Sequence, residues 1–381
     1  MTVRPAHLRN DETTQQPLHK TLRAGVVGLG WAGQQHMAAY AAHPDVDLVA
    51  IAGLETDLQR SVGDEFGIEP AMRFGQYTDM IAGADLDVVS VATPTSLHAP
   101  IAIAALRAGI HTLSEKPLAE NATKGAEMVQ AATDNDRVLD VSFNHRRRGD
   151  VKALKQIVDD GLLGEIYYAK AGWLRRSGIP GLGTWFTKQA MAGGGPLMDI
   201  GIHMLDMALY LMGEPSVDSV SAATYAEFGP RGLGGSAQGP YGGRADLDTS
   251  VPFEVEDFST AFIRLTGGST LLLETSWASY IKQDQIFVTL YGSDGGATLG
   301  NSPAGPYEPQ LTVWTDVKGV PAELTPLLLP HGMHRETVND FIARVQSPDW
   351  SAYRGAEYLT RAAVVDAAYE SAATHREVLL G

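Results

Sequence analysis

The 381-residue chain contains no cysteine, which excludes disulfides and thiolate metal centres and fits a reducing compartment such as the cytoplasm. Positive charge is also scarce. A formal net charge of −16 repels a phosphate backbone, and the one basic cluster is Arg146-Arg147-Arg148, so nucleic acid is not an expected partner. No apolar run is long enough to cross a bilayer, and the first twenty residues lack the apolar core of a signal peptide, so no membrane association is expected. What is abundant is core-forming material. At 44% hydrophobic content and this length, the chain can bury a large interior and divide into two domains.

Residues 1–20 are polar and without period, and read as a flexible arm. From Leu22 short apolar runs (Ala24 to Gly28, Leu48 to Ala52, Val88 to Ala92, His111 to Ser114, Val138 to Phe143) alternate with helical stretches (Gly33 to His43, Asp57 to Phe66, Leu97 to Ala108, Asn121 to Thr133). That alternation predicts a doubly wound parallel α/β sheet over 21–143. Beyond it, strand-like runs at Ile166 to Leu174, Val217 to Phe228, Glu254 to Leu265, Ser269 to Ser279 and Gln285 to Tyr291 are separated by glycine-rich turns. They predict a second α/β domain over 144–381 with a mostly antiparallel sheet. Segment 229–249 is glycine-rich and reads as a mobile loop, either a lid or an oligomer contact. Helical stretches around Met333 to Val345 and Ala356 to Thr374 close the chain, the last one free to pack back on the first domain.

Gly28-Leu29-Gly30-Trp31-Ala32-Gly33 follows a predicted strand and opens a predicted helix. In that context the glycines permit a tight turn and close approach to a pyrophosphate, with the helix N-terminus supplying N–H donors, so Gly28, Gly30, Trp31, Ala32 and Gly33 are expected to contact a dinucleotide. The second strand should then end in an acidic residue for the adenosine ribose. Here Gly53 occupies that place, and Glu55 is the nearest carboxylate. Glu55 would disfavour a 2′-phosphate, and no arginine or lysine lies between Gly53 and Arg60 to welcome one, so NAD is favoured over NADP, which stays possible.

Residues 193–213, GGGPLMDIGIHMLDMALYLMG, read as one helix, apolar apart from a line of Asp199, His203, Asp206 and Tyr210. Pro196 suits its first turn and Gly213 its end. At about 100° per residue the four polar groups point to one place. Any one alone is ordinarily a satisfied core residue, whereas Asp199 and His203 one turn apart suggest a site.

Taken together, GVVGLGWAGQQH, the tripeptide Glu115-Lys116-Pro117 and GGGPLMDIGIHMLD resemble the Gfo/Idh/MocA oxidoreductases, from about Leu22 to the end of the chain. The resemblance implies a Rossmann domain followed by an α/β domain whose open sheet often forms the oligomer interface, hence a homodimer or homotetramer. It also implies catalytic roles for Lys116, Asp199 and His203, and hydride transfer between nicotinamide and a secondary hydroxyl or ketone of a sugar, glycoside, inositol or related polyol. The chemistry suits the residue types: an imidazole can take the hydroxyl proton, Asp199 can orient it or hold a substrate hydroxyl, and a lysine can polarise the reacting oxygen.

By the same resemblance Thr93, Pro94, His98 and Glu115 face the cofactor, and Asn144 and Arg146 lie near nicotinamide and substrate. A helix start and a solvated basic turn are the respective alternatives. Arg175 and Trp185 can line a sugar pocket, or be surface and core. His331 and His334 lack metal partners in the sequence, and no metal site is expected. Two rival functions fit the same fold: a non-catalytic dinucleotide or sugar sensor, and a reductase of non-carbohydrate carbonyls or diols.

Overall fold

The computed structural model describes residues 20–235, 252–300, 308–329 and 332–380. Most of the expected N-terminal arm and of the glycine-rich loop therefore lies outside the described residues, as does His331. The loop's first part is described, and residues 232–235 are tied by backbone hydrogen bonds to the Gly178 segment.

The first half builds β1 (Leu22–Val27), α1 (Trp31–Ala41), β2 (Val46–Ala52), α2 (Thr56–Glu65), β3 (Arg73–Phe74), α3 (Tyr77–Gly83), β4 (Val88–Val91), α4 (His98–Arg107), β5 (His111–Ser114), α5 (Ala122–Asp134) and β6 (Leu139–Val141). The strands form one parallel sheet in the order β3-β2-β1-β4-β5-β6. Near-continuous apolar runs such as Ala50-Ile51-Ala52 are buried because helices cover both faces. The order reverses between β1 and β4, which leaves a crevice at their carboxyl ends where ligands of such sheets bind. Neither β3 nor α3 was legible in the sequence, being only 2 and 7 residues long.

The second half continues with α6 (Gly149–Asp159), β7 (Ile166–Leu174), α7 (Gln189–Ala192), α8 (Ile202–Leu211), β8 (Val217–Tyr225), β9 (Phe258–Leu265), β10 (Thr270–Ser276), β11 (Gln285–Gly292), β12 (Gly295–Gly300), β13 (Leu311–Val317), β14 (Val320–Leu324), α9 (Met333–Val345), α10 (Leu359–Thr374) and β15 (Val378–Leu379). The strands make a nine-stranded sheet, antiparallel except for the β7–β10 pair. Alternation along β7, β10 and β11 buries Ala169, Ala171, Leu271, Leu273, Val288 and Leu290 on the helix-covered face. α9 leaves this sheet and packs on α1, while Arg344 and Tyr358 both reach Asp140 in β6, at 2.8 and 2.5 Å. No described helix is long and apolar enough to cross a membrane.

Segment 193–213 departs from a single regular helix. It opens with a wide turn over Leu197–Gly201, five residues in π geometry, before α8 begins, and it stops at Gly213 with φ +84°. The wide turn alters which side chains share a direction.

Candidate active site

A cleft of about 1650 Å³ runs from the glycine turn after β1 to the wide turn before α8. At its first end Gly28 has φ +97°, and a Cβ there would lie 2.1 Å from the Ala92 carbonyl oxygen. A Cβ on Gly33 would lie 1.9 Å from the Gly28 carbonyl oxygen, whereas one on Gly30 meets nothing within 4 Å. Two glycines thus close the turn against its neighbours and the middle one keeps the cleft wall open. No side chain caps the N-terminus of α1, leaving its N–H groups free for an anion. These features fit the diphosphate of a dinucleotide, and Trp31 and Ala32 line the same space.

Gly53 has a steric reason for its place. A Cβ there would come within 2.7 Å of the Leu29 side chain, which would have to shift to admit the usual acidic residue. Glu55 stands at the start of α2, exposed and on the cleft wall, and its carboxylate makes no capping hydrogen bond to the helix end. Nearby Arg60 and Arg73 are committed to Asp57 and Asp64 at 3.3 and 2.7 Å.

At the other end β5 delivers Glu115 and Lys116 to the cleft. Lys116 Nζ donates to Asp199 Oδ1 and to the Asp199 carbonyl oxygen, both at 2.8 Å, and Trp277 Nε1 donates to Asp199 Oδ2 at 3.0 Å. Burial pushes the Asp199 carboxyl up, but the Lys116 and Arg175 charges and these hydrogen bonds hold it below the usual range. His203 sits one turn further on, its ring 4.5 Å from that of His145, with Phe143 and Trp173 beside it. Burial, then the charges of His145, Lys116, His334 and Arg175, hold His203 well below the ordinary imidazole range, so it is neutral at pH 7. An ammonium, a carboxylate and a neutral imidazole therefore share the cleft with the Gly28–Gly33 turn.

A family model for the oxidoreductase family with an NAD-binding Rossmann fold matches residues 22–143, and one for the GFO/IDH/MocA C-terminal domain matches 151–298. The chain belongs to the GFO/IDH/MocA oxidoreductases. The D-glucoside 3-dehydrogenase of Escherichia coli is 36% identical over 73% of this chain and 77% of its own length. The levoglucosan dehydrogenase of Pseudarthrobacter phenanthrenivorans is 32% identical over 72% of this chain and 73% of its own. A solved levoglucosan dehydrogenase in complex with NADH and levoglucosan superposes with a TM-score of 0.78 at 26% identity, covering 94% of this chain and 99% of that one.

Within this GFO/IDH/MocA chain, the four-residue polar line divides. Asp199 and His203 line the cleft, but Asp206 and Tyr210 do not. Asp206 instead receives Arg146 Nε at 2.7 Å and Arg361 Nε at 3.1 Å, and Tyr210 lies under the Arg146 guanidinium at 4.8 Å. Arg146 is corrected with them: it is locked in this buried ion cluster and does not line the cleft. The cause is the 3₁₀ turn over Asn144–Arg147, which aims Asn144 and His145 into the cleft and Arg146 away from it. The expectation that Asp199 orients His203 also gives way, because the carboxylate is taken by Lys116 and Trp277.

His98 lines the cleft, yet its ring nitrogens face the carbonyls of Pro117 and Thr93 at 2.8 and 3.0 Å. It braces the turns that carry Thr93-Pro94 and Lys116 rather than offering nitrogen to a cofactor. Thr93 Oγ1 is buried without a protein partner, and Pro94 lies beside it on the wall. Glu115 accepts from His36 Nε2 at 3.0 Å and from the Lys116 N–H at 3.2 Å. Burial raises its pKa, but His36 and the nearby charges bring it down to about 2. Arg175 lies over Trp173 at 5.1 Å and Trp185 stacks on Phe186 at 3.8 Å, both on the cleft wall.

Sequence reasoning missed His145 and Trp277, and weighed His334 only as a metal ligand. His334 comes from the start of α9, with its ring edge-on to Trp31 at 5.1 Å and Asn144 Nδ2 at 2.9 Å from Nε2. With His36 and Glu115 it forms a group whose ligand atoms lie within 4.8 Å of one another. The direct His36–Glu115 hydrogen bond uses two of the atoms a cation would need. No sequence spacing relates these three positions, since they arrive from α1, β5 and α9.

Proposed function

We propose that this protein is an NAD-dependent dehydrogenase that oxidises a secondary hydroxyl of a sugar, glycoside, inositol or related polyol, or reduces the matching ketone. The observation that carries the reading is the convergence of Lys116, Asp199 and His203 in the cleft that opens on the Gly28–Gly33 turn. The relatives' named activities on glucosides and levoglucosan support it. Bound in that cleft, nicotinamide supplies the acceptor or donor of the hydride. Lys116 holds the reacting oxygen and stabilises the negative charge that develops there. His203, neutral at pH 7, takes the hydroxyl proton in oxidation and returns it in reduction. Asp199 keeps the ammonium in place through two contacts at 2.8 Å, one from its side chain and one from its backbone.

NAD rather than NADP is part of the proposal. The unpaired Glu55 carboxylate repels a 2′-phosphate, and Arg60 and Arg73 are already paired. So is a homodimer or homotetramer working in the cytoplasm, supported by an outward sheet face on which Phe262 and Trp314 are 37% and 44% exposed. Light scattering checks the assembly. The activity is tested by following nicotinamide absorbance over a panel of polyols, glycosides, inositols, dicarbonyls and aromatic diols. Turnover confined to the last two classes, or none with any, overturns the reading.

A further inference from the structure

Beyond the polar end the cleft acquires a wall that no sugar hydroxyl needs. The N–H groups of Gly178 and Ile179 donate to the Gly234 carbonyl at 2.9 and 2.8 Å, joining two loops into one ledge. Gly232 and Gly234 have φ of +67° and +79°, a conformation that glycine adopts without strain, and between them they present Leu233, 44% exposed, to the cleft. Pro180, Leu182 and Trp185 continue the same wall. The ledge is seated close to the reacting groups. A Cβ on Gly234 would lie 2.6 Å from that of Ala278, the residue after Trp277, whose indole holds Asp199 at 3.0 Å.

One pyranose ring has an apolar face to lay on one aromatic ring, which accounts for Trp185. It leaves Pro180, Leu182 and Leu233 with no polar atom to offer a hydroxyl. Resting on the dehydrogenase reading, we propose that this ledge is a subsite for an apolar aglycone, an alkyl or aryl group on the anomeric carbon of the substrate sugar. The preferred ligand is then a glycoside with a hydrophobic substituent rather than a free sugar or an inositol.

The test is calorimetric titration of the NADH-loaded protein with methyl, butyl and hexyl D-glucopyranosides. Each methylene covered tightens binding by up to about fourfold, so at least a tenfold fall in Kd from methyl to hexyl is expected. In Leu233→Ser the same ratio should shrink to about threefold or less. Taking the ratio within each protein cancels any general loss of fold, and retained NADH affinity confirms a folded variant. A flat series in the wild type, an undiminished ratio in Leu233→Ser, or no binding of any glucoside overturns the proposal. Turnover of the same glucosides with NAD separates it from the reading beneath it. A chain-length effect on binding without turnover removes the dehydrogenase assignment and leaves the ledge, while turnover with a flat series does the reverse.

Discussion

Lys116 is held by the residue it works beside, and that pairing decides what its removal does. Lys116→Ala deletes the charge at the reacting oxygen and leaves the Gly28–Gly33 turn untouched, so kcat should fall by about 10²-fold or more while NADH affinity stays near wild type. Steady-state kinetics with a fluorescence titration of NADH check both, and near-normal kcat would remove Lys116 from the chemistry. His203 carries the pH dependence. Its proton affinity is lowered by burial and by His145, Lys116, His334 and Arg175, so the acidic limb of oxidative kcat/KM should lie below the ordinary imidazole value of about 6.5. In His203→Ala that limb should vanish with a loss of about 10²- to 10⁴-fold in rate; an unchanged profile would make the imidazole a packing group. Glu55→Ala should narrow the ratio of kcat/KM for NAD over NADP by removing both a ribose acceptor and a repulsive charge. A wild type that prefers NADP would show that Glu55 points elsewhere.

The wide turn before α8 is the element on which the site depends, and a carboxylate anchors it from another strand region. Glu256 accepts from the N–H groups of Gly195 and Leu197 at 2.9 and 3.1 Å and from the Tyr369 hydroxyl at 2.9 Å. Burial raises its pKa, and these donors pull the other way. Glu256→Ala leaves three buried donors unpaired, each costing about 1–3 kcal/mol, and frees the turn that carries Asp199. A lower urea midpoint together with a kcat loss larger than the KM change is expected. Unchanged stability and activity would mean that the turn holds itself. This element also marks where the sequence ceased to be readable. Periodicity identified β5, β7 and α9 to the residue and α1 to within two residues at each end, because their patterns of 3.6 and 2 come from one buried face. Within the regular α8 periodicity gives direction but not reach: Asp206 and Tyr210 follow His203 about one and two turns further along the axis, where Arg146 and Arg361 meet them instead of the cleft, and the π turn before α8 has no such pattern at all. The 3₁₀ turn at Asn144–Arg147 deceived in the same way, sending Arg146 outward and His145 inward. Lys116, Asp199 and His203 were legible because motif and burial agreed there, whereas His334 and Trp277 arrive by tertiary folding alone.

Across the whole molecule, buried imidazoles set the response to acid. His98, His111, His145, His203 and His334 all have lowered pKa values, with burial the largest cause in each, reaching about 4 for His111, about 3 for His145 and about 4 for His334. A group whose folded pKa lies below its unfolded one binds its proton more readily in the unfolded chain. Stability is therefore complete above about pH 6.5 and is lost as pH falls from there toward the folded values, with a slope of about 1.4 kcal/mol per pH unit for each proton. Glu256, Glu357 and Asp366 have raised values and act in the opposite sense, nearer the ordinary carboxylate range. Between pH 6.5 and 5 the imidazoles prevail, and the melting temperature should drop while unfolding takes up protons. His111 isolates the effect, because it is far from the cleft: its Nδ1 accepts from the Val138 N–H at 3.0 Å and its ring stands edge-on to Trp350 at 4.4 Å. His111→Asn can keep an acceptor for Val138 without titrating, so the difference in melting temperature between pH 7.5 and 5.5 should shrink in the variant. Differential scanning calorimetry at the two pH values checks it, and an equal acid shift in both proteins would show that this imidazole already carries its proton in the folded state.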